Sequence, residues 1–288
     1  MAEEKEQLLE ELLESRQFNR VRDMLADLNA VDIAALLEDR SDEQTLLLFR
    51  LLPKTLAAEA FAYMEHDTQE RLIGVLTDRE LASVMDELNM DDAADLVDEM
   101  PANVVKRVLR MTDPADRRII NQLLLYPEDS AGSVLTTEFV DLKASMTVDE
   151  ALDYIRRFGP DKETIYTCYV TDADRHLEGV LTVKELLLNS GDRRVGDLME
   201  TNVISVTTTE DQEQVAALFA KYDLIALPVV DSEGRLVGII TVDDVVDIMR
   251  KETTEDIEKM AAILPTDRPY LKTGVFETYR KRIPWLLL

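Results

Sequence analysis

The same order of strand, turn, strand and helix is written twice in this chain, and that duplication restricts the fold more than any other feature. Val170-Thr171-Asp172 matches Val229-Val230-Asp231, and Gly179-Val180-Leu181-Thr182 matches Gly238-Ile239-Ile240-Thr241, both pairs 59 residues apart. A single offset kept across strand, turn and strand marks a repeated βα module over residues of roughly 137–250. In the first copy, 139–142 reads as a strand and 147–158 as a helix. Strands at 165–171 and 177–181 then flank an Asp172-Ala173-Asp174 turn, and a helix follows at 183–189. In the second copy, strands at 203–206, 226–230 and 236–240 alternate with helices at 210–222 and 242–250. Each copy is too short to cover both faces of its own sheet, so the two are expected to pack as a pseudo-twofold pair.

Residues 1–130 carry a different rhythm. Leu8, Leu9, Leu12 and Leu13 recur at helical spacing, as do Val21, Met24, Leu25 and Leu28. Ser41 to Gln44 and Asp67 to Glu70 have the form of capping boxes. Asp113-Pro114 sets a cap residue before a proline at the first helical position. This half also repeats: Leu28 to Glu38 aligns with Leu88 to Asp98, 60 residues on, with helices near 53–64 and 78–88 between them. Short stacked helices of this kind bury their faces on one another as a superhelix.

Charge narrows the choice of partner. Asp and Glu total 59 against 32 Lys and Arg, a net charge of −27. A nucleic-acid partner is excluded, because replacing the counterions of a phosphate backbone takes basic residues. Binding of the bulk of the chain to an anionic membrane surface is disfavoured for the same reason. Cations and basic partners are favoured. The single cysteine, Cys168, excludes an internal disulfide and sits in an apolar run where a small buried hydrophobe is expected. Two histidines far apart, His66 and His176, do not make a structural zinc site with it. No Cys–His or Ser–His pairing and no Gly-rich phosphate loop is present, so an enzyme is not expected. The N-terminus is acidic without an apolar core, which points to the cytoplasm.

The last part of the chain changes character again. Residues 253–264 read as a further acidic helix, interrupted by Pro265 and Pro269. Lys272, Arg280, Lys281 and Arg282 then precede Trp285 and an apolar run to Leu288. Basic residues, a tryptophan and an apolar run, in that order, form the cytoplasmic approach to a transmembrane helix. The run itself is far shorter than the roughly 20 residues a span requires. Two readings stand: part of a membrane protein cut at its first span, favoured by the order of the signals, or an amphipathic tail that packs on a partner.

The strand, Asp-turn, Gly-strand and Thr pattern, twice over, resembles the CBS domain pair. The whole order resembles the cytosolic part of an MgtE-type magnesium channel. The segments that carry the likeness are Ala57-Ala58-Glu59, Asp91 to Leu96, Tyr222-Asp223-Leu224 with Leu227 to Asp231, and Thr241 to Val245. The resemblance implies a multidomain α plus α/β chain. An acidic helical superhelix (1–130) leads to a tandem CBS domain pair (131–198 and 199–250), then a connecting helix and the start of a truncated transmembrane segment (251–288). It implies a homodimer on the cytoplasmic face of a membrane, whose transmembrane pore domain is missing from this sequence.

The carboxylates are placed to suit that reading. Mg²⁺ keeps several waters and takes only one or two carboxylates, so a sensor needs scattered acids rather than a cage. Asp91 and Asp95 share one helix face, and so do Asp244 and Asp247. The plainer reading of an acidic run is a solvated surface. By resemblance, Glu59, Asp91 and Asp95 are metal candidates in the helical part. Glu213, Asp223, Asp244 and Asp247 are candidates in the CBS pair, and Glu252, Glu255 and Asp256 in the connecting helix. The function implied is Mg²⁺ sensing that closes a magnesium pore when intracellular Mg²⁺ is high. The alternative is an adenosine-nucleotide-sensing CBS module of another membrane transporter. For that ligand, ATP or a related nucleotide, the resemblance to CBS pairs implies a Thr and an Asp three residues on that hold the ribose hydroxyls, and Thr241 and Asp244 match it; the first copy has Thr182 with Glu185 instead. Thr241 also suits a helix N-cap. A third reading is a scaffold whose helical repeats bind a protein.

Overall fold

A computed structural model describes residues 2–38 and 40–260. The chain divides into two compact units, Met1–Leu125 and Tyr126 onward. The first is helical throughout its described residues. Its helices are α1 (Ala2–Glu14), α2 (Phe18–Ala26), α3 (Ala30–Glu38), α4 (Asp42–Leu51) and α5 (Lys54–Ala62). They continue as α6 (His66–Val75), α7 (Asp78–Met85), α8 (Met90–Glu99), α9 (Ala102–Met111) and α10 (Pro114–Leu123). Helices two apart pack together: α2 on α4, α3 on α5, α4 on α6, α5 on α7, α7 on α9 and α8 on α10. None is longer than four turns, so each obtains its stability from neighbours rather than from its own hydrogen bonds. Phe49 and Phe61 meet edge to face, with centroids 6.4 Å apart. The 60-residue repeat has a physical counterpart. Ile33 N–H donates to Asn29 O, and Ala93 N–H to Asn89 O, both at 3.0 Å, opening α3 and α8 alike.

The helix starts follow the sequence in part. Ser41 accepts from the Gln44 amide, and Asp113 accepts from the Ala115 amide with Pro114 inside the first turn. The box expected at Asp67 to Glu70 does not form. α6 begins at His66, and Thr68 and Gln69 are buried, with Gln69 Nε2 donating to Phe61 O at 2.9 Å. With α6 starting at His66, Asp67 lies inside the first turn and cannot serve as its N-cap. The reciprocal box lies instead at Thr77 and Glu80.

In the second unit each copy folds as the repeat demands. β1 (Val140–Leu142) pairs parallel with β2 (Thr167–Thr171), which pairs antiparallel with β3 (Leu177–Thr182). α11 (Val148–Phe158) and α12 (Val183–Leu188) belong to this copy. In the second copy β4 (Val206–Thr207), β5 (Ala226–Val230) and β6 (Leu236–Thr241) repeat the order, with α13 (Gln212–Tyr222) and α14 (Val242–Met260). β2 is buried on both faces. Cys168 and Val170 join Val140, Ala151, Ile155 and Leu186 in the core of the first copy. Tyr169 turns the other way, onto Phe139, Ala226, Leu236 and Ile239, and so helps bind the copies together. Burial pushes the Cys168 thiol up to about 12, consistent with an inert packing residue.

The matched glycines are explained by close approach. A Cβ at Gly238 would lie 2.5 Å from Thr136 O, and one at Gly179 would lie 2.9 Å from Glu200 O. At these points a further segment bridges the edge of each sheet: Thr136 to Ile239 and Glu200 to Val180. The segment before the first copy thereby completes the sheet of the second.

Two boundaries differ from expectation. The strand expected at 203–206 forms only at Val206–Thr207. The helix expected to end near 250 and the one expected from 253 are a single α14, unbroken to Met260. No glycine or proline intervenes, and Thr253 and Thr254 hydroxyls donate back to Met249 O (2.7 Å) and Arg250 O (2.9 Å). The Pro265 and Pro269 breaks, the basic stretch and Trp285 lie outside the described residues. No helix among the described residues is long and apolar enough to cross a membrane.

Candidate functional site

The acids expected to matter occupy several helices. Glu59 is exposed on α5, and Asp91 and Asp95 lie on α8, Asp95 exposed. Glu213 is exposed in the first turn of α13. Asp223 ends that helix in the left-handed region (φ 51°), its N–H donating to Phe219 O. Asp244, Asp247 and Glu252 ride on α14. Glu255 and Asp256 belong to the same helix, but their side chains lie outside the described set. No three of these acids bring ligand oxygens within 4.8 Å of one another among the described residues.

Asp244 stands apart from the rest. It sits where β6 passes into α14, and Thr241 just before it is buried. Thr241 Oγ1 donates to Asp244 Oδ2 at 2.7 Å, and the Thr241 amide reaches the same oxygen at 3.4 Å. Thr241 thus holds the carboxylate with both its hydroxyl and its amide. Burial pushes the Asp244 carboxyl up to about 6; the neighbouring Asp243 and Asp247 push the same way, against the Thr241 hydrogen bonds. A carboxylate in that state is stabilised by a cation. The matching pair in the first copy, Thr182 and Glu185, forms a reciprocal capping box at an exposed site, with Glu185 accepting at 2.6 and 3.0 Å.

A second focus escaped the sequence reading. Gln212, the first residue of α13, is 3% exposed. Its Nε2 donates to Asp129 Oδ1 at 3.0 Å and to Glu252 Oε1 at 2.5 Å. A lone glutamine in a polar helix start carries no pattern that would single it out. The β2–β3 turn also gathers ligand atoms of Asp172, Asp174 and His176 within 4.8 Å. Its second-copy counterpart shows what that turn does: Asp172 accepts from the Asp174 and His176 amides, as Asp231 accepts from Glu233 and Arg235. Both aspartates close a hairpin.

Residues 28–129 match the MgtE intracellular N domain, and residues 131–191 and 195–251 match the CBS domain. The crystal structure of the cytosolic domain of the Mg²⁺ channel MgtE in complex with ATP is 39% identical. It aligns with a TM-score of 0.79 over 83% of this chain and 98% of that one. This chain belongs to the MgtE family. A crystal structure of the soluble part of a magnesium transporter aligns with a TM-score of 0.82 at 30% identity, over 88% of this chain and 99% of that one. The magnesium transporter MgtE of Thermus thermophilus is 38% identical over 97% of this chain and 63% of its own length. That of Bacillus subtilis is 32% identical over 93% and 62%. The chain thus spans about three-fifths of these MgtE relatives and corresponds to the cytosolic regulatory region of the family. Its relatives along that length are transporters rather than enzymes.

Proposed function

We propose that this chain is the Mg²⁺-sensing region of a magnesium transporter on the cytoplasmic face of a membrane, acting on a pore in the part of the protein beyond this sequence. The observation that carries the reading is α14. It leaves the second CBS copy without a break and bears Asp244, Asp247 and Glu252 along one rod. The raised Asp244 carboxyl fits a hard cation, which is served by one or two carboxylates and its own waters. Bound Mg²⁺ would supply the positive charge that lets acids of the helical unit (Glu59, Asp91, Asp95) and of the CBS pair (Glu213, Asp223, Asp244, Asp247) share one arrangement, with Glu252, Glu255 and Asp256 extending it along α14. With the acids uncompensated, each close pair resists that arrangement by about 4 kcal/mol at 4 Å and an effective dielectric of about 20. Inverting a population from 1:99 to 99:1 takes about 5.5 kcal/mol of differential binding, within reach of several weak sites acting together. The closed pore belongs to the ion-loaded arrangement.

The functional unit is proposed to be a homodimer. Leu187 and Leu188 on α12 are 65% and 75% exposed, and Val246 and Met249 on α14 are 42% and 49% exposed. Such apolar side chains on the CBS helices suit a second copy of the same chain. Sedimentation should give a dimer that Leu188→Asp with Val246→Asp converts to monomer.

Thermal unfolding tests the sensor reading. MgCl₂ should raise the melting temperature well beyond KCl at matched ionic strength, because selective binding stabilises by mass action. Equal shifts reduce the effect to screening and defeat the reading. One observation favours a second ligand: the pairing of buried Thr241 with the half-buried Asp244, together with a family structure containing ATP. ATP in EDTA should stabilise the chain, and Thr241→Ala should lose that gain. A gain lost instead in Glu185→Ala would move the nucleotide to the first copy.

A further inference from the structure

Gln212 joins two parts of the second unit that sequence sets far apart. Asp129 follows the helical unit by four residues, and Glu252 lies eight residues beyond Asp244 on α14. The Asp129 side is firmly placed. Gln212 N–H donates to Asp129 O at 2.9 Å, Ser130 bridges to Asp211, and Ala131 N–H donates to Glu210 O at 2.7 Å. A side chain as buried as Gln212 must satisfy its polar atoms. It does so by giving its Nε2 to both carboxylates. Lys251 Nζ, 3.5 Å from Asp129 Oδ1, offsets part of the charge.

We propose that Gln212 is a clasp that competes with divalent cations for Glu252 and so sets how much Mg²⁺ is needed to move α14. This deepens the proposed function and rests on Glu252 being one of the ion-binding acids. While the clasp is closed, Glu252 is an acceptor for the amide, and α14 is tied to the segment that leads in from the helical unit. An ion that recruits Glu252 takes that oxygen from the amide, and the tie is released. An uncharged donor suits this role. A neutral amide is held by geometry more than by net charge, so monovalent salt screens it little and a coordinating divalent ion displaces it. Gln212 acts here through Glu252, as a positioning residue.

The test is a Mg²⁺ titration of the intact chain at constant ionic strength, reading the midpoint of stabilisation for wild type, Gln212→Leu, Glu252→Gln and the double variant. Removing the competing hydrogen bond should lower the Gln212→Leu midpoint roughly three- to tenfold. In the Glu252→Gln background the same substitution should leave the midpoint unchanged. A Gln212→Leu midpoint equal to wild type overturns the clasp, and so does a shift that persists undiminished without Glu252. If Gln212→Leu does not fold, Gln212→Asn, one methylene shorter, is read the same way with a smaller expected drop. A wild-type chain with no Mg²⁺-specific response overturns the sensor reading and the clasp together, whereas a responsive wild type with unmoved variants overturns the clasp alone.

Discussion

Replacing Asp244 by asparagine should stabilise the chain at neutral pH and leave it unchanged in acid. The Asp244 carboxyl lies at about 6 in the folded chain against an ordinary 3.8, chiefly because burial disfavours its charge. A folded-state value above the unfolded one means that the folded chain holds the proton more tightly. Its contribution is most favourable below pH 3.8 and is lost as pH rises through 6. At roughly 1.36 kcal/mol per pH unit, the charged carboxylate costs at most about 3 kcal/mol above that range. Asparagine carries no charge and keeps an oxygen for the Thr241 hydroxyl, so Asp244→Asn should remove the cost without losing the hydrogen bond. Urea unfolding of both proteins in EDTA, followed by circular dichroism between pH 4 and 8, gives the difference directly. The variant should match wild type near pH 4 and gain up to about 3 kcal/mol by pH 7.5. Saturating Mg²⁺ should close that gap if Asp244 is a ligand. A difference independent of pH, or a variant weaker than wild type at pH 7.5, would refute the assignment of a half-buried, charge-strained carboxylate.

Three other perturbations probe the fold around the candidate residues. Arg107 on α9 donates to Ile73 O and, at 2.5 Å, to Leu76 O, capping the end of α6, and it pairs with Asp78 at 3.0 Å. Arg107→Ala should cost about 2–3 kcal/mol in chemical denaturation, and Lys should restore only part of it. The Tyr169 hydroxyl is fully buried without a hydrogen-bond partner among the described residues, so Tyr169→Phe should be neutral or stabilising by about 1–3 kcal/mol; a clear loss of stability would show a hidden partner. The His66 imidazole is held above the usual histidine range by its hydrogen bond to Glu99, 2.6 Å away. Its stabilisation is complete below the ordinary histidine value of 6.5 and fades as pH rises through the raised one, so melting temperatures from pH 6 to 8.5 should fall less steeply in His66→Gln.

The duplicated module was legible because three physical demands repeat together: an aspartate that closes the hairpin, a glycine that lets a neighbouring backbone approach, and a threonine that opens the helix. The 60-residue helical repeat was legible for a similar reason, since Asn29 and Asn89 open equivalent helices. What escaped depends on burial that a pattern does not encode. Asp67 matches a cap residue, yet α6 already begins at His66 and takes it into the first turn. The join at 250 matches a boundary because charges cluster there, yet nothing breaks the backbone hydrogen bonds of α14. Asp244 was picked out by spacing, but its raised carboxyl came from packing. Gln212 gave no signal, because its partners lie 83 residues before it and 40 after it.

Small-angle scattering during matched titrations with MgCl₂ and KCl tests the sensor most directly. Mg²⁺ should compact the chain at ion concentrations where K⁺ of equal ionic strength leaves its radius of gyration unchanged. The triple variant Asp91→Ala, Asp95→Ala, Asp247→Ala should require several-fold more Mg²⁺ for the same change. Identical curves for the two salts, or an unmoved midpoint in the triple variant, would contradict an ion-linked gate built from these acids.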